Sequence, residues 1–247
     1  RPDPNRVNIP ASKGAGQFRA LGRVITVGNL NRVYDALQTA RRHLTGAEVI
    51  GELQRATTTL GGKPATIPHE PTVIVISSIG GGSGSGAVID VCDAVRALGD
   101  KWANHSVGIL YAPDVFDYLP EEARRGVRPN SLAAITELLS GYWNDEGASE
   151  GTNDLFARYG VQFTADKRLG PRYPFLVGAR NEAVTYPTQN DIYRAMGRSI
   201  ASWVASSALQ DKITAYIEGQ WAATNQAVPD RLPLHPQGTE TPFSALG

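Results

Sequence analysis

The sequence predicts an α/β fold, a mainly parallel β-sheet with helices on both faces. Short β-branched apolar runs typical of buried strands alternate with stretches in which apolar residues recur at three- and four-residue steps, as they do along amphipathic helices. This alternation is the pattern that strand–helix–strand units produce. The length of 247 residues permits one large domain of this kind or two small ones.

The individual elements follow from the same patterns in chain order. Helices are predicted over residues 31–60 and 131–142, and buried strands over residues 74–79, 107–112 and 173–178. Pro113 ends the second strand because proline cannot donate to a sheet ladder. The last segment, residues 227–247, contains four prolines and is predicted to be loop.

A long helix is predicted from Thr188 to about residue 226. Apolar residues recur along one face, and no proline occurs between Thr188 and Ala227. At about 1.5 Å per residue, such a helix would be roughly 50 Å long. A coiled coil is the alternative, but breaks at Ser207 and Gln210 and the lack of regular flanking charges argue against a strict coiled-coil seam.

Composition and charge exclude several classes of function. The net charge is zero, which argues against a broad nucleic-acid-binding surface, and no apolar run is long enough to span a membrane. The only cysteine, Cys92, lies on the apolar face of a predicted helix, so a buried role is favoured over a nucleophilic one. The absence of a disulfide framework fits the cytoplasm, and the four scattered histidines indicate no metal site. The start at Arg1 has neither an initiating Met nor a signal-peptide core, which is typical of a fragment.

A glycine-rich segment joins the first predicted strand to a helix. Residues 80–86 read Gly-Gly-Gly-Ser-Gly-Ser-Gly, and apolar helical periodicity follows from Ala87. Glycine backbone N–H groups can converge on one point, and a helix N-terminus adds unpaired donors and a positive dipole end. A flexible linker is the alternative, but linkers are not bracketed by a β-branched strand and an amphipathic helix. We therefore predict an anion-binding loop.

The flanking residues decide which nucleotide motif this is. A P-loop requires Gly-Lys-Ser/Thr at its end, whereas Ala87 follows Gly86. Residues 82–87 satisfy the looser G-x-G-x-x-A dinucleotide fingerprint, but Asp114, the nearest candidate for its acidic ribose ligand, lies too far along the chain. A Rossmann-type enzyme that binds NAD or FAD remains one alternative.

Residues 80–86 resemble the G-G-G-T/S-G-S/T-G signature of the tubulin and FtsZ superfamily. Four other segments are similar to nucleotide loops of that family and occur in the family's order, over about residues 12–206. One of them, residues 12–19, resembles a Gly-Ala-Gly-Asn segment that approaches the outer phosphate. The resemblance implies a Rossmann-like fold and phosphate contacts from Gly80, Gly81, Gly82, Ser83, Gly84, Ser85, Gly86, Gly14, Ala15 and Gly16.

The second of these segments follows the second strand. Family members carry a proline and, four residues later, an acid that binds the ribose, and this spacing from Pro113 identifies Asp117, with Asp114 as the fallback. The family also places an arginine near the phosphates, for which Arg124 and Arg125 are the candidates. A solvated charge cluster is the alternative for both arginines, because two glutamates precede them.

The remaining two segments resemble the guanine-binding elements of the family. Asn181 follows the third strand, and an amide there can offer a donor and an acceptor to the base. Tyr186 and Asn190 have the family's spacing of a ring that stacks on the base and an amide that reads its edge. The alternative for Asn181 is a turn residue, and for Tyr186 a packing residue.

The resemblance implies a protein that binds GTP or GDP, with Mg²⁺ held through phosphates and water. It divides the chain into a GTP-binding domain at residues 1–187, a long central helix at 188–226, and a loop at 227–247 that leads to a second domain. The family's opening strand and first phosphate loop are not recognisable before residue 12.

Self-assembly into a homo-oligomer or filament and GTP hydrolysis at the subunit interface are also implied by the resemblance. No catalytic residue is assigned: Asp211 and Asp230 are the candidate carboxylates near the expected position of the family's catalytic loop, and Asp211 is more simply a solvated residue of the long helix. A tubulin-like scaffold or regulatory module that does not hydrolyse GTP remains the other alternative.

Overall fold

The centre of the molecule is a parallel β-sheet. The computed structural model describes residues 12, 14–61, 72–99, 102, 105–143, 150–162, 170–180, 184–206 and 244–246. Four strands lie in the order β1-β2-β3-β4, each parallel to its neighbour. They are β1 (Val73–Ser78), β2 (Ser106–Tyr111), β3 (Tyr173–Val177) and β4 (Ser244–Leu246). The predicted parallel α/β fold is confirmed, and each predicted strand lies within a residue of an observed one.

The strand β4 corrects one expectation. It lies in the segment that was predicted to be loop, but it pairs with β3 in parallel, with Ala245 opposite Leu176. A strand of three residues is too short to show the alternation by which strands are recognised, so the sequence pattern does not reveal it. Residues 227–243 and 247 lie outside the described residues.

Helices precede the sheet and connect its strands. They are α1 (Arg19–Gly28), α2 (Leu30–Leu44), α3 (Ala47–Thr59), α4 (Gly82–Arg96), α5 (Glu121–Arg124), α6 (Val127–Trp143), α7 (Glu150–Arg158) and α8 (Gln189–Ala205). A 3₁₀ turn, Pro113–Phe116, follows β2. The helix α6 begins four residues before its predicted start and includes Pro129. Proline is tolerated there because a residue in the first helical turn has no intrahelical acceptor for its N–H.

The two faces of the sheet bury separate hydrophobic clusters. Successive strand residues point to opposite faces, so Leu110 of β2 lies in one cluster and Ile109 in the other. The cluster with Leu110 includes Ile89 of α4 and Leu138 of α6. The cluster with Ile109 includes Ile192 of α8. Helices therefore cover both faces, as predicted.

The helix α4 carries two carboxylates into the interior. Asp93 is 1% exposed and pairs with Arg96 at 2.8 Å, and Arg96 also donates to the carbonyl of Gly170 at 2.5 Å. Burial raises the pKa of Asp93 to about 7, although Arg96 opposes the shift. Burial also raises the pKa of Asp90, despite the Arg23 guanidinium at 3.2 Å.

Cys92 on the same helix is buried, as predicted. Burial is the main cause that raises the pKa of its thiol, which keeps the side chain protonated and unreactive.

The helix α8 begins where the long helix was predicted to begin, but it ends at Ala205, so the prediction of one continuous helix over residues 188–226 is wrong at Ser206. Thr188 caps it, since the Thr188 Oγ1 accepts a hydrogen bond from the Asp191 N–H at 3.2 Å. The helix is described up to Ala205, and Ser206 is extended. The rest of the predicted helix, residues 207–226, lies outside the described residues. Among the helices that are described, none is long and apolar enough to cross a lipid bilayer.

Candidate functional site

The predicted site residues lie beyond the carboxyl ends of neighbouring strands. Gly80 and Gly81 follow β1, the 3₁₀ turn and Asp117 follow β2, and Ala179 follows β3. Because the strands are parallel and adjacent, these segments meet along one edge of the sheet. Asp114 connects two of them, since its carboxylate accepts the Ala179 N–H at 2.8 Å. The fallback ribose ligand therefore already has a structural partner.

The glycine-rich segment is only partly a loop. The helix α4 begins at Gly82, five residues before the predicted start, so residues 82–86 form its first turns. Glycine has low helix propensity, but close packing here outweighs that preference. A Cβ at Gly82, Gly84 or Gly86 would lie closer than 3.0 Å to backbone atoms of other segments. These three glycines are thus required by packing.

The contact between α1 and α4 explains two of these close approaches. A Cβ at Gly86 would collide with the Arg19 carbonyl oxygen and the Arg23 nitrogen, and one at Gly22 would collide with the backbone of Gly82. Arg19 strengthens this contact, because its Nε donates to the Ser85 carbonyl at 3.0 Å. The two helices lie against each other almost backbone to backbone.

Gly81 differs from the other glycines of the segment. A Cβ at Gly81 would have no described atom within 4 Å, and its φ of −83° is open to any residue. The N–H groups of Ser83 and Gly84, in the first turn of α4, have no hydrogen-bond partner among the described residues. The Gly82 N–H, in contrast, donates to the Gly16 carbonyl at 2.7 Å. The N-terminus of this 15-residue helix therefore carries two unpaired donors, and Gly81, the residue before its first turn, has open space around its Cβ position.

The second glycine segment lies directly against the first. Gly14 and Gly16 have φ values of 81° and 54°, in the left-handed region that favours glycine. Between them, the Ala15 N–H donates to the Ser83 Oγ at 3.0 Å. The structure thus brings together residues 14–16 and 80–86, which the sequence separates by more than sixty positions.

Asn130 of α6 is a further residue of the candidate site, and it was not predicted from the sequence. Its Nδ2 donates to the carbonyl of Gln17 at 3.0 Å and to that of Gly80 at 3.1 Å. The Gln17 Nε2 in turn donates to the Ala123 carbonyl at 3.0 Å. No sequence pattern marks Asn130, because its partners are distant in the chain and are backbone atoms.

The predicted ribose ligand is accessible. Asp117 ends the 3₁₀ turn, and its carboxylate lies 3.4 Å from the Arg124 guanidinium. Both side chains are partly exposed, so this ion pair contributes little to stability and can rearrange around a ligand. Arg125 is exposed.

The backbone of Tyr186, one of the predicted base-binding residues, is held by two hydrogen bonds. The Tyr186 N–H donates to the Ala179 carbonyl at 3.0 Å, and the Tyr118 hydroxyl donates to the Tyr186 carbonyl. The Tyr186 side chain packs partly against the α8 side of the core. Asn190 is exposed in the first turn of α8. Asn181 lies outside the described residues.

The chemistry available at this edge of the sheet is the recognition of a polar, anionic ligand. Unpaired N–H groups and the positive end of the α4 dipole favour an anion. Asp117 and Asn190 add exposed acceptor and amide groups in the segments that follow β2 and β3. Within the described ranges, no group of three or more His, Cys, Asp or Glu side chains could hold a metal ion.

Comparison with known protein families identifies a match over the whole sequence. Residues 1–247 match the model of a family described as tubulin-like. No curated protein and no solved structure matches the chain.

Proposed function

The chain belongs to the tubulin-like family, and on that premise we propose that it binds a guanine nucleotide, GTP or GDP, at the N-terminus of α4. The observation that carries the proposal is the open space at Gly81 beside the unpaired N–H groups of Ser83 and Gly84. A phosphate group fits such a position, because it supplies acceptors for both donors and negative charge for the helix dipole.

The two glycine segments would form the walls of the phosphate site. Residues 14–16 approach α4 closely enough to hydrogen-bond with Ser83, and Gly81, whose Cβ position is unobstructed, would be the opening. Mg²⁺ would be held through phosphate oxygens and water, as a cation that dehydrates reluctantly needs few protein ligands. When bound, it would neutralise part of the phosphate charge.

The ribose and the base would lie towards the loops after β2 and β3. Asp117 would accept a hydrogen bond from a ribose hydroxyl, and its weak pairing with Arg124 leaves Arg124 free to reach a phosphate. Tyr186 would stack on the guanine, while Asn190 and Asn181 would read its edge. The exposure of Asn190 supports this role, since no described group competes for its amide.

Assembly and hydrolysis form the second part of the proposal. Members of the tubulin and FtsZ superfamily self-associate, and their hydrolytic acids come from the neighbouring subunit. In a homo-oligomer such an acid comes from a second copy of this chain, and we assign it to no particular residue. If GTP is hydrolysed, the reaction belongs to a homo-oligomer or filament.

The first experiment measures nucleotide binding by titration calorimetry with GDP, GTP and NAD. Wild-type protein is expected to bind both guanine nucleotides and not NAD. Gly81→Val should abolish binding without unfolding the chain, because the new side chain enters the open space that a phosphate would occupy. Gly51→Val is the matched control, as Gly51 also has open space around its Cβ position but lies on α3, away from the site.

The outcomes separate the candidate functions. Binding of NAD with no binding of GDP or GTP would replace this proposal by a dinucleotide-binding enzyme. Tight GTP binding without turnover, even at high protein concentration, would identify a scaffold or regulatory module. Unchanged GDP affinity in Gly81→Val would place the nucleotide elsewhere.

A further inference from the structure

The side chain of Asn130 connects the two glycine segments through their backbones. Asn130 is 9% exposed, and its Nδ2 donates at once to the carbonyls of Gln17 and Gly80, at 3.0 and 3.1 Å. These partners are 113 and 50 residues away in the sequence. An amide nitrogen carries two hydrogens, so one side chain can serve both acceptors.

Each of these contacts fixes a whole peptide plane. The Gly80 carbonyl accepts from Asn130, while the N–H of the same peptide, that of Gly81, donates to the Ser78 Oγ at 3.3 Å. The Gln17 carbonyl accepts from Asn130, while the Phe18 N–H donates to the Ala15 carbonyl at 2.9 Å. Because a peptide is planar, holding both its oxygen and its N–H group fixes its orientation.

The orientation of these two peptide planes affects the charge that faces the open space at Gly81. A carbonyl turned towards the space beside Gly81 would repel an anion, whereas a carbonyl held by Asn130 lies against α6. Glycine at positions 80 and 81 permits peptide rotation that other residues resist, so the restraint must come from outside the segment.

We infer that Asn130 is a positioning residue that holds both glycine segments in the arrangement that accepts phosphate. The inference rests on the proposed function for its ligand, but the restraint itself is a property of the free protein. Removing the Asn130 side-chain amide leaves the carbonyls of Gln17 and Gly80 without their donor. The peptide planes that follow Gln17 and Gly80 are then free to rotate.

The first test uses hydrogen exchange of the free protein. Asn130→Ala is expected to accelerate amide exchange in residues 14–18 and 79–84 while leaving the strands β2 and β3 protected. Ser131→Ala is the matched control, because Ser131 is also buried on α6 but donates only within its helix, to the Val127 carbonyl at 2.9 Å. Equal exchange in both variants would overturn the inference, whether or not the protein binds nucleotide.

The second test compares GDP with guanosine, by calorimetry and by saturation-transfer NMR. Asn130→Ala should weaken GDP binding by about tenfold or more, the effect of losing about 1.4 kcal/mol, and leave guanosine binding nearly unchanged. An equal loss for both ligands, or no loss of GDP affinity, would overturn the positioning role while leaving nucleotide binding intact. If wild-type protein binds no GDP, the proposed function fails, and faster exchange in Asn130→Ala would still establish the restraint.

Discussion

Asp93 shows how one buried side chain can make stability depend on pH. Its carboxylate lies in the interior beside Arg96, and one of its oxygens, Oδ2, is buried without a hydrogen-bond partner in the described part of the chain. Burial raises its pKa from 3.8 to about 7. The folded protein therefore holds this proton more tightly than the unfolded chain does.

We predict that the contribution of Asp93 to the free energy of unfolding falls as the pH rises from about 4 to about 7. The contribution of Asp93 is fully present below its unfolded pKa and is lost as the pH passes its folded pKa. The free energy of unfolding, measured with urea at several pH values across this range, should change less with pH in Asp93→Asn than in wild type. The substitution lowers the stability itself, because it removes the partner of the buried Arg96. Asp35→Asn, at an exposed position of α2, is the control. An unchanged pH dependence in Asp93→Asn would contradict the assignment.

Substitution of glycine should destabilise the protein where the glycine is tightly packed and stabilise it where the glycine is unobstructed. Gly86→Ala places a Cβ against backbone atoms of Arg19 and Arg23, which cannot move without shifting α1, so a loss of about 1–3 kcal/mol is expected. Gly51→Ala, in open space on α3, should stabilise the protein by about 0.5–1 kcal/mol. Urea unfolding measures both, and a neutral Gly86→Ala would mean that α1 is not held against α4.

At the scale of the element, α8 depends on its N-cap. The Thr188 hydroxyl accepts the Asp191 N–H and donates to the Asp191 carboxylate at 2.6 Å. This reciprocal pair satisfies one of the helix's free donors, and the acid also complements the helix dipole. Asn190 lies between the two residues, so the cap also sets where the predicted base-binding amide lies.

We predict that Thr188→Ala destabilises the protein by about 1 kcal/mol. Thr58→Ala on α3 is the matched control, since that exposed hydroxyl donates only to the Gln54 carbonyl one turn earlier in its own helix. Chemical unfolding should place the control within about 0.5 kcal/mol of wild type. Equal losses in the two variants would show that the cap adds nothing to α8.

The elements also show which parts of the fold were predictable from the sequence. The strands β1 to β3 were predicted closely because each is a short apolar run bounded by turn residues. The helix α1 was missed because Gly22 lowers its helix propensity and Phe18 caps it without a side-chain hydrogen bond. The first turns of α4 were missed for the same reason, since they are rich in glycine and their N-cap, Gly81, makes no side-chain hydrogen bond. In both helices, packing of glycine against a distant backbone decides the conformation, and periodicity does not contain that information.

At the scale of the whole molecule, the residues that stabilise the sheet and the residues of the proposed binding site lie in different places. Its two faces bury the hydrophobic clusters, and its carboxyl edge carries the loops that hold the site residues. Family resemblance placed those loops in order, and the parallel strands bring them to one edge. The link through Asn130 was not predictable, because it depends on the tertiary distance between α6 and two loops.

Assembly into a homo-oligomer or filament should make GTP turnover depend on protein concentration. If hydrolysis requires an acid from a neighbouring subunit, GTP turnover per protein should rise steeply with protein concentration. Measuring phosphate release across a hundredfold range of concentration, together with light scattering, tests this dependence. A rate per protein that is constant over the range would exclude hydrolysis at a subunit interface.

The tight packing of α4 has a consequence for how sequences of this kind evolve. Gly82, Gly84 and Gly86 must remain small to keep the helix seated, so selection for folding alone would preserve most of the glycine signature. A descendant that lost its ligand would still display the signature, whereas Gly81 would be free to drift. The residue at position 81 is therefore the better diagnostic of retained function.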